Sequence, residues 1–579
     1  MPAFTNRFLK VAAQDLKTAE QVVDRSGLPE WCEKRYRTQL GDYKGGAHTQ
    51  LSWRHLFLGL VLVAMSEQPM ILRDVVRTLN ALSRKQKKRL GLPESVTERM
   101  VSIRYNHFAD LIDPSPYSLR NRARREELSD VEWQQQRAWR QAGLETVLDR
   151  ILAASIPDDA RDDGNYAVDS SGVPSWSRQN QKWSNPDTAT DPDASWRAHM
   201  STTKPYAQSE GNKPHFGGKA WYGYNLNAFV RIPSLTANKD GSFSLSDTPA
   251  YVERISLTTA GSNEAKDAAE LLARINHREP REYPAPVGDI VMDRAYSLGF
   301  ENFLKTVRAL GYKPHFDLRA DQRGLGGSVE GMVIVDGQPY SPSMPKSLYD
   351  VKTPKLPGAS RDELEAWFAQ NDRRRAYQIR VRGINAETMA MDLSCPAARD
   401  FGALRCNMKP ESVLLPATIP SAPPVSNPDF PPKICSQQRV RVDGDALPLW
   451  QPYQYGTRGW WKSLSRRARV EGAFGRLKND ATHNITRGRF RVMGLAKTSI
   501  MTAFLVAAAN LATTARLAQA QADAAAQQEL SGVDRVLSLL PSTKRGPRAR
   551  TTRLAAHRAL VGAGGRARER LGSGESDPF

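Results

Sequence analysis

The chain has 579 residues, too many for one simple core, so two or three domains are expected. Lys and Arg number 82 against 62 for Asp and Glu, a net charge of +20, which makes nucleic acid the first partner to expect. Four cysteines exclude a disulfide-stabilised scaffold, and the nine histidines form no cluster typical of a zinc hydrolase. No Gly-x4-Gly-Lys-Ser/Thr stretch occurs, so we expect no nucleotide cofactor.

Neither end of the chain nor its apolar runs predict a membrane protein. The first residues, MPAFTNRFLK, lack the charged start, apolar middle and cleavage site of a signal peptide. The run at 56–65 is short and the run at 500–515 contains Thr and Asn, so we interpret both as buried core helices. The sequence therefore predicts a soluble cytoplasmic protein without a membrane partner.

Residues 1–155 are predicted to be helical. LSWRHLFLGLVLVAM (51–65) is an apolar helix, and residues 70–93 change from an amphipathic into a basic helix that Gly91 ends. A third helix begins at a Ser95 cap. The basic stretch favours a helix-turn-helix-like DNA-binding module, and a helical dimerisation region with a solvated basic face is equally well supported. The candidate DNA-binding residues of this stretch are Arg84, Lys85, Lys87, Lys88 and Arg89.

Residues 160–520 are predicted to form an α/β layered domain. NYAVDSSGV, GYNLNAFVRI and VERISLTTA are strands, and they are followed by the helix NEAKDAAELLARIN. The strand GDIVMDRAY, the helix FENFLKTVRALG and the strand YKPHFDL come next. Two helices, 463–479 and 497–520, complete the domain.

Residues 321–450 interrupt this rhythm. They are rich in Pro and Gly and contain short strand-like pieces, which predicts an inserted, mostly-β subdomain. Its Cys395, Cys406 and Cys435 lack any Cys-x2-Cys pair, so reduced thiols are favoured over a zinc site. Basic clusters recur near 84–89, 372–382, 462–469 and 544–570, and the segment 541–579 is predicted to be a disordered basic tail.

Three acidic residues could carry chemistry. Asp169 lies in the first strand, before a predicted Ser-Ser-Gly turn, Asp293 lies at the carboxyl end of another strand, and Glu471 lies on a helix. Mg²⁺ prefers oxygen ligands and is usually held by one or two carboxylates together with phosphates. Two such ions can clamp an in-line phosphoryl displacement. Spacing alone is a weak signal, because many such triples exist in a chain with 62 acidic residues.

The helix around Glu471 adds a pattern of charge. Arg467 lies four residues before Glu471 and Lys478 seven residues after it, so all three share one helical face. This arrangement suits a metal ion with a phosphate backbone on either side. From the pattern alone, an ordinary surface Arg–Glu pair is the favoured alternative.

Three sequence blocks favour a catalytic site over a surface ion pair. YAVDSSG, VMDRAYS and RARVEGAFGRLK resemble the catalytic blocks of DDE-type insertion-sequence transposases, whose catalytic domain has a ribonuclease-H-like fold. The third block matches the Tyr-x2-Arg-x3-Glu-x6-Lys signature at Arg467, Glu471 and Lys478, whereas Leu464 stands at the Tyr position. DPDASWR, VDGQPYSPSMPKSL and YQYGTRGWW also resemble parts of long actinobacterial transposases of this group.

The resemblance implies a mechanism. Asp169, Asp293 and Glu471 would hold two Mg²⁺ ions, for which Mn²⁺ would substitute. Water would cleave the phosphodiester at a transposon end, and the freed 3′-hydroxyl would attack target DNA. Arg467, Lys478 and Arg294, which follows Asp293 directly, would contact phosphates, so binding should weaken strongly with salt. The resemblance also implies a homodimer on double-stranded DNA at the bacterial nucleoid.

Two other functions fit the same residues. The chain could be a domesticated DNA-binding protein that no longer cuts, or a metal-dependent nuclease that cuts without joining. Trp460 and Trp461, just before the Glu471 helix, could stack on an extruded base, but core packing is the commoner role of Trp and is favoured.

Overall fold

The computed structural model describes residues 11–41, 50–66, 69–177, 189–198, 220–276, 286–355, 358–385, 387–399, 401–424, 429–479, 485 and 488–539. Within these residues the protein is mixed α/β, as predicted. The predicted basic tail, 541–579, lies outside the described residues.

The first part of the chain is helical. Its helices are α1 (Ala13–Ser26), α2 (Leu28–Leu40), α3 (Trp53–Met65), α4 (Leu72–Asn80), α5 (Arg84–Leu90), α6 (Glu98–Ile112), α7 (Leu119–Glu127) and α8 (Asp130–Ser155). Residues 70–93 form two helices rather than one, because Ser83 caps a new helix by accepting the Gln86 N–H. Gly91 ends α5 in the left-handed conformation, as predicted. The cap of α6 is Thr97 and not Ser95.

The remaining elements alternate between strands and helices. The strands are β1 (Tyr166–Pro174), β2 (Ser195–Ala198), β3 (Ala220–Arg231), β4 (Leu235–Ala237), β5 (Phe243–Leu245), β6 (Val252–Thr259), β7 (Asp289–Met292), β8 (Lys313–Phe316), β9 (Leu325–Val329), β10 (Met332–Val335), β11 (Gln338–Tyr340), β12 (Arg380–Ile384), β13 (Met391–Ser394) and β14 (Val440–Val442). The helices are α9 (Glu264–Asn276), α10 (Leu304–Ala309), α11 (Arg361–Asp372), α12 (Pro410–Val413), α13 (Lys433–Ser436), α14 (Arg458–Ser465), α15 (Ala468–Lys478) and α16 (Leu495–Leu539).

A central sheet organises this part of the chain. Strand β3 pairs antiparallel with β1, β2 and β6, and strands β7 and β8 extend the sheet parallel to β1, in the order β3-β1-β7-β8. The predicted turn after Asp169 is wrong, because β1 continues to Pro174 against the long strand β3. Gly172 permits this pairing, since a Cβ there would lie 2.5 Å from the Trp221 ring.

The two faces of the sheet are covered by different helices. Side chains alternate along a strand, so Tyr166 and Val168 of β1 face one side, where they pack with α9 and α10. Ala167 and Val291 face the other side and belong to a core that also contains α3, α15 and α16. The N-terminal helices and the sheet therefore share one hydrophobic core, although the sequence suggested separate domains at 1–155 and 160–520.

Helix α16 is the most apolar element. Its part Leu495–Ala525 is long and apolar enough to cross a membrane, with a mean hydropathy of 1.4. Nevertheless, 78% of the 18-residue window that meets this criterion is buried inside the protein. The Asn510 amide accepts the Val252 N–H at 2.9 Å and donates to the Val252 carbonyl at 3.0 Å. Such burial and pairing are typical of a core helix. From Ala515 onward the helix belongs with Pro354–Glu363 to a second unit.

The insertion contains two small sheets, β11-β10-β9 and β12-β13-β14. Arg308 of α10 attaches it to the main domain by donating to the carbonyls of Gly444 and Leu447, both at 2.8 Å. Cys395 and Cys435 are buried, Cys406 is half-buried, and all three are free thiols.

Candidate active site

Asp169 and Asp293 lie side by side at neighbouring strands. The parallel register of β1 and β7 pairs Val168 with Met292, so Asp169 and Asp293 occupy the next positions of the two chains. Adjacent strands are about 4.8 Å apart. Alternation puts Asp169 on the face of Ala167, and the extended backbone at Asp293 continues the alternation beyond Val291. Both carboxylates therefore lie on the face that α15 covers.

Helix α15 brings Glu471 to the same face. It packs on β1 and β3 through an apolar stripe spaced i, i+3, i+4 and i+7, made of Val470, Ala473, Phe474 and Leu477. Glu471 lies next to this stripe, with its side chain 51% exposed. The helix is thus held by its apolar residues while its carboxylate remains open to solvent.

Arg467 connects the carboxylates. Its Nη1 atom lies 3.0 Å from Asp293 Oδ2, and its Nη2 atom donates to Glu471 Oε1. Burial alone would lower the pKa of Arg467, but Asp293, Asp169 and Glu471 together outweigh burial and raise it. The cation is therefore shared by the three acidic residues named by the sequence.

The carboxyl group of Asp169 has a perturbed pKa. Burial raises its pKa to about 6, and the negative charges of Asp293 and Glu471 add to the rise. The Ser170 N–H, which donates to Asp169 Oδ1 at 2.8 Å, and the Arg467 charge act in the opposite direction. The three carboxylates are thus close enough to repel one another, and Asp169 is largely ionised only above about pH 6.

The helix that carries Glu471 begins later than predicted. The expected single helix over 463–479 is two helices, α14 and α15, separated at Arg466 and Arg467. The reason is that Arg466 turns inward, donating to Asp289 Oδ2 at 2.7 Å and to the Pro233 carbonyl at 3.0 Å. The break directs Arg466 to the interior and Arg467 to the carboxylates.

The residues around Asp289 were missed by the sequence analysis. His315 Nε2 lies 3.1 Å from Asp289 Oδ1, and His315 Nδ1 is 2.9 Å from Ser463 Oγ. Asp289, His315 and Arg466 thus join β7, β8 and the α14–α15 junction beneath the site. The signal was present only as two acidic residues, Asp289 and Asp293, four positions apart on one strand.

The other predicted phosphate contacts are exposed. Arg294 is exposed, and its charge acts on Asp317, where it and Arg323 oppose the rise in pKa that burial causes. Lys478 is exposed at the end of α15, two turns beyond Glu471.

The basic helix α5 is not part of this site. It buries no side chain. Arg84 pairs with Glu94 at 3.0 Å, Arg89 pairs with Glu20 at 2.7 Å, and Lys87 donates to the Glu94 carbonyl at 2.8 Å. Lys85 and Lys88 are exposed and make no hydrogen bond or ion pair with another described residue.

The aromatic residues before α15 serve the core. Trp460 is 1% exposed and donates from its indole N–H to the Phe316 carbonyl at 3.0 Å. Trp461 is half-buried, with its ring 6.2 Å from those of Trp460 and Phe368. Trp460 is therefore not accessible to a base.

The donor set of the site suits a hard divalent cation. All three acidic residues offer carboxylate oxygens, the ligands that Mg²⁺ prefers, and their mutual repulsion is what a cation would relieve. In the described part of the chain, no three His, Cys, Asp or Glu side chains stand close enough together to hold one metal ion. Because Arg467 lies between Asp293 and Glu471, metal binding requires this guanidinium to move aside.

Comparisons with known proteins do not assign a function to the chain. No model of a known protein family, no curated protein and no solved structure matches the chain. The three carboxylates and the three sequence blocks that contain them are the features that indicate a function.

Proposed function

We propose that the chain is a DDE-type transposase that cleaves DNA at transposon ends and joins the freed ends to target DNA. One observation carries the proposal. Asp169 and Asp293 occupy adjacent positions of parallel strands, and Glu471 is on a helix that covers the same face of the sheet. Glu471 is 178 positions after Asp293 in the sequence, so the fold brings together acidic residues that are far apart in the chain.

The architecture supports the same proposal. Three antiparallel strands, β6, β3 and β1, are followed by β7 and β8 parallel to β1, with helices on both faces. We propose that this is a ribonuclease-H-like catalytic domain over 160–520, with residues 321–450 inserted before its last helices.

Each site residue has a proposed role. Asp169, Asp293 and Glu471 would hold two Mg²⁺ ions, which supply electrostatic stabilisation of a phosphodiester displacement and an activated nucleophile. Arg467 pairs with Asp293 and Glu471 in the free protein and would transfer to a DNA phosphate when the site is loaded. Arg294 and Lys478 would contact phosphates on either side.

The partner follows from the charge. We propose double-stranded DNA as substrate, because the net charge is +20 and both transposon ends and target must be bound. A homodimer would supply one site for each end. The proposed location is the bacterial cytoplasm, at the nucleoid.

The test is strand transfer with a defined transposon end, Mg²⁺ and the full chain. Asp293→Asn should abolish cleavage and joining while retaining DNA binding, because the variant removes an anionic ligand without adding volume. The matched control is Asp321→Asn, which changes an exposed carboxylate that also pairs with an arginine, Arg319 at 2.8 Å. The control should keep wild-type activity.

Three outcomes would contradict the proposal. DNA binding without any cleavage by the wild-type protein would favour a domesticated DNA-binding protein. Cleavage without joined products would favour a nuclease. Equal activity in Asp293→Asn and wild type would remove the acidic trio from the chemistry.

A further inference from the structure

A groove lined by several cations lies outside the candidate active site. Its walls are the β4–β5 hairpin, the chain at the end of α11 and the start of β12, and the loop before α14. It encloses about 570 Å³, a volume typical of ligand sites. We call it the hairpin groove. Its lining includes four cations and two aromatic rings: Lys239, Arg375, Arg380, Arg458, Phe243 and Tyr453.

The hairpin groove is at the other end of the sheet from the acidic trio. The Tyr453 ring lies 5.7 Å from the ring of His315, which is beside Asp289 at the amino end of β7. Asp293 follows the carboxyl end of the same strand. At about 3.3 Å per residue, the four residues from Asp289 to Asp293 span roughly 13 Å.

The groove has an excess of positive charge. Asp372 is the acidic side chain in its described lining. Arg458 also pairs with Glu365, but Arg375 and Arg380 repel each other, and burial together with Arg375 lowers the pKa of Arg380. An anion in the groove would relieve this repulsion.

We propose that the hairpin groove binds backbone phosphates of double-stranded DNA about four or more base pairs from the phosphodiester at the carboxylates. The choice of DNA over other phosphate esters rests on the proposed function. Guanidinium groups donate paired hydrogen bonds to phosphate oxygens, and Lys239 on the exposed hairpin adds a mobile cation. Such contacts position the duplex without reading its sequence. The basic cluster near 372–382 thereby has a role distinct from that of Arg467.

The experiment measures binding to a random-sequence duplex of about 40 base pairs across a salt series, without divalent ions. The logarithm of the DNA association constant falls linearly with the logarithm of the salt concentration. Each lost phosphate contact reduces the magnitude of this slope by about 0.9. Arg375→Gln combined with Arg380→Gln should lower it by about 1.8 and weaken binding by ten- to a hundredfold, in order of magnitude, near 0.1 M salt.

Two further variants control for net charge and for folding. Arg399→Gln combined with Arg441→Gln removes two exposed insertion arginines that already pair with acidic residues, Glu411 at 3.7 Å and Asp392 at 2.9 Å. This variant should lose less than half as much slope. Lys239 makes no hydrogen bond or ion pair with another described residue, so Lys239→Gln should fold normally and lower the slope by about 0.9. It provides the test if the double arginine variant has a reduced melting temperature.

The proposal is overturned if the groove variants keep the wild-type slope, or if the control variant loses as much as they do. A second experiment uses inorganic phosphate as the ligand. A melting temperature that phosphate raises in wild type but not in the groove variants, with an unchanged DNA slope, would identify a free-anion site and also overturn it. Binding needs no cleavage, so this experiment and the strand-transfer test of Asp293→Asn can fail independently.

Discussion

An Asp–Arg ion pair lies at each end of β7, and the two pairs differ in burial. At the amino end, Asp289 faces Arg466, whose side chain is 0% exposed. At the carboxyl end, Asp293 faces Arg467, whose side chain is 24% exposed and which also reaches Glu471. The two arginines are consecutive in the chain. Burial therefore separates a structural ion pair from one that can open and exchange its partner.

The largest expected effect concerns the buried pair. Arg466→Met removes the cation and leaves Asp289 enclosed, which should lower the free energy of unfolding by about 3–5 kcal/mol. Urea denaturation at pH 7.5 measures this. The control is Arg469→Met, which replaces an exposed arginine three residues later, in α15, and should change stability little. Equal stability of the two variants would remove the distinction between the ends of the strand.

At Asp169, beside the carboxyl end of β7, we expect a smaller effect of opposite sign on the free energy of unfolding. The pKa of Asp169 is about 6, against 3.8 in a model peptide, so folding opposes its ionisation. Below about pH 3.8 the group is neutral in both states and carries no penalty. As the pH rises through 6, the group ionises in the folded state as well, and the loss of folding stability reaches its full size.

Asp169→Asn should therefore raise the free energy of unfolding by on the order of 2–3 kcal/mol at pH 7.5, with little change near pH 3.5. Urea denaturation at the two pH values tests this. A destabilised variant at pH 7.5 would mean that the Asp169 charge is already compensated in the free protein. The same variant should lose strand transfer, so that stability and activity change in opposite directions.

The smallest effect is a shift in pH dependence. Arg467 favours the ionised form of Asp169, so Arg467→Gln should raise the pKa of Asp169 further above 6. The acidic limb of the Mg²⁺-dependent cleavage profile should then move to higher pH by about one unit. Arg467→Lys keeps the charge and should restore most of the profile. A profile unchanged in Arg467→Gln would show that the guanidinium does not act on the carboxylates.

Much of the site could be predicted because its residues lie in local patterns. The strands around Asp169 and Asp293 are short apolar runs, and the helix of Glu471 has a regular apolar stripe. The break at Arg466 could not be predicted, since it depends on Asp289, 177 residues earlier in the chain. The predicted turn after Asp169 was wrong because pairing with β3 overrides the local turn preference of Ser-Ser-Gly.

The shared core of the N-terminal helices and the sheet has a consequence for the proposed function. Phe57 of α3 stacks on Phe504 of α16 with ring centroids 6.0 Å apart, and the Tyr105 hydroxyl donates to the Lys497 carbonyl at 3.0 Å. A fragment starting after α8 would expose these surfaces to water and should aggregate. The helices on either side of the basic helix α5 are therefore fixed to the sheet, and under the proposed function the length of a duplex path from α5 to the acidic residues would be set by this packing.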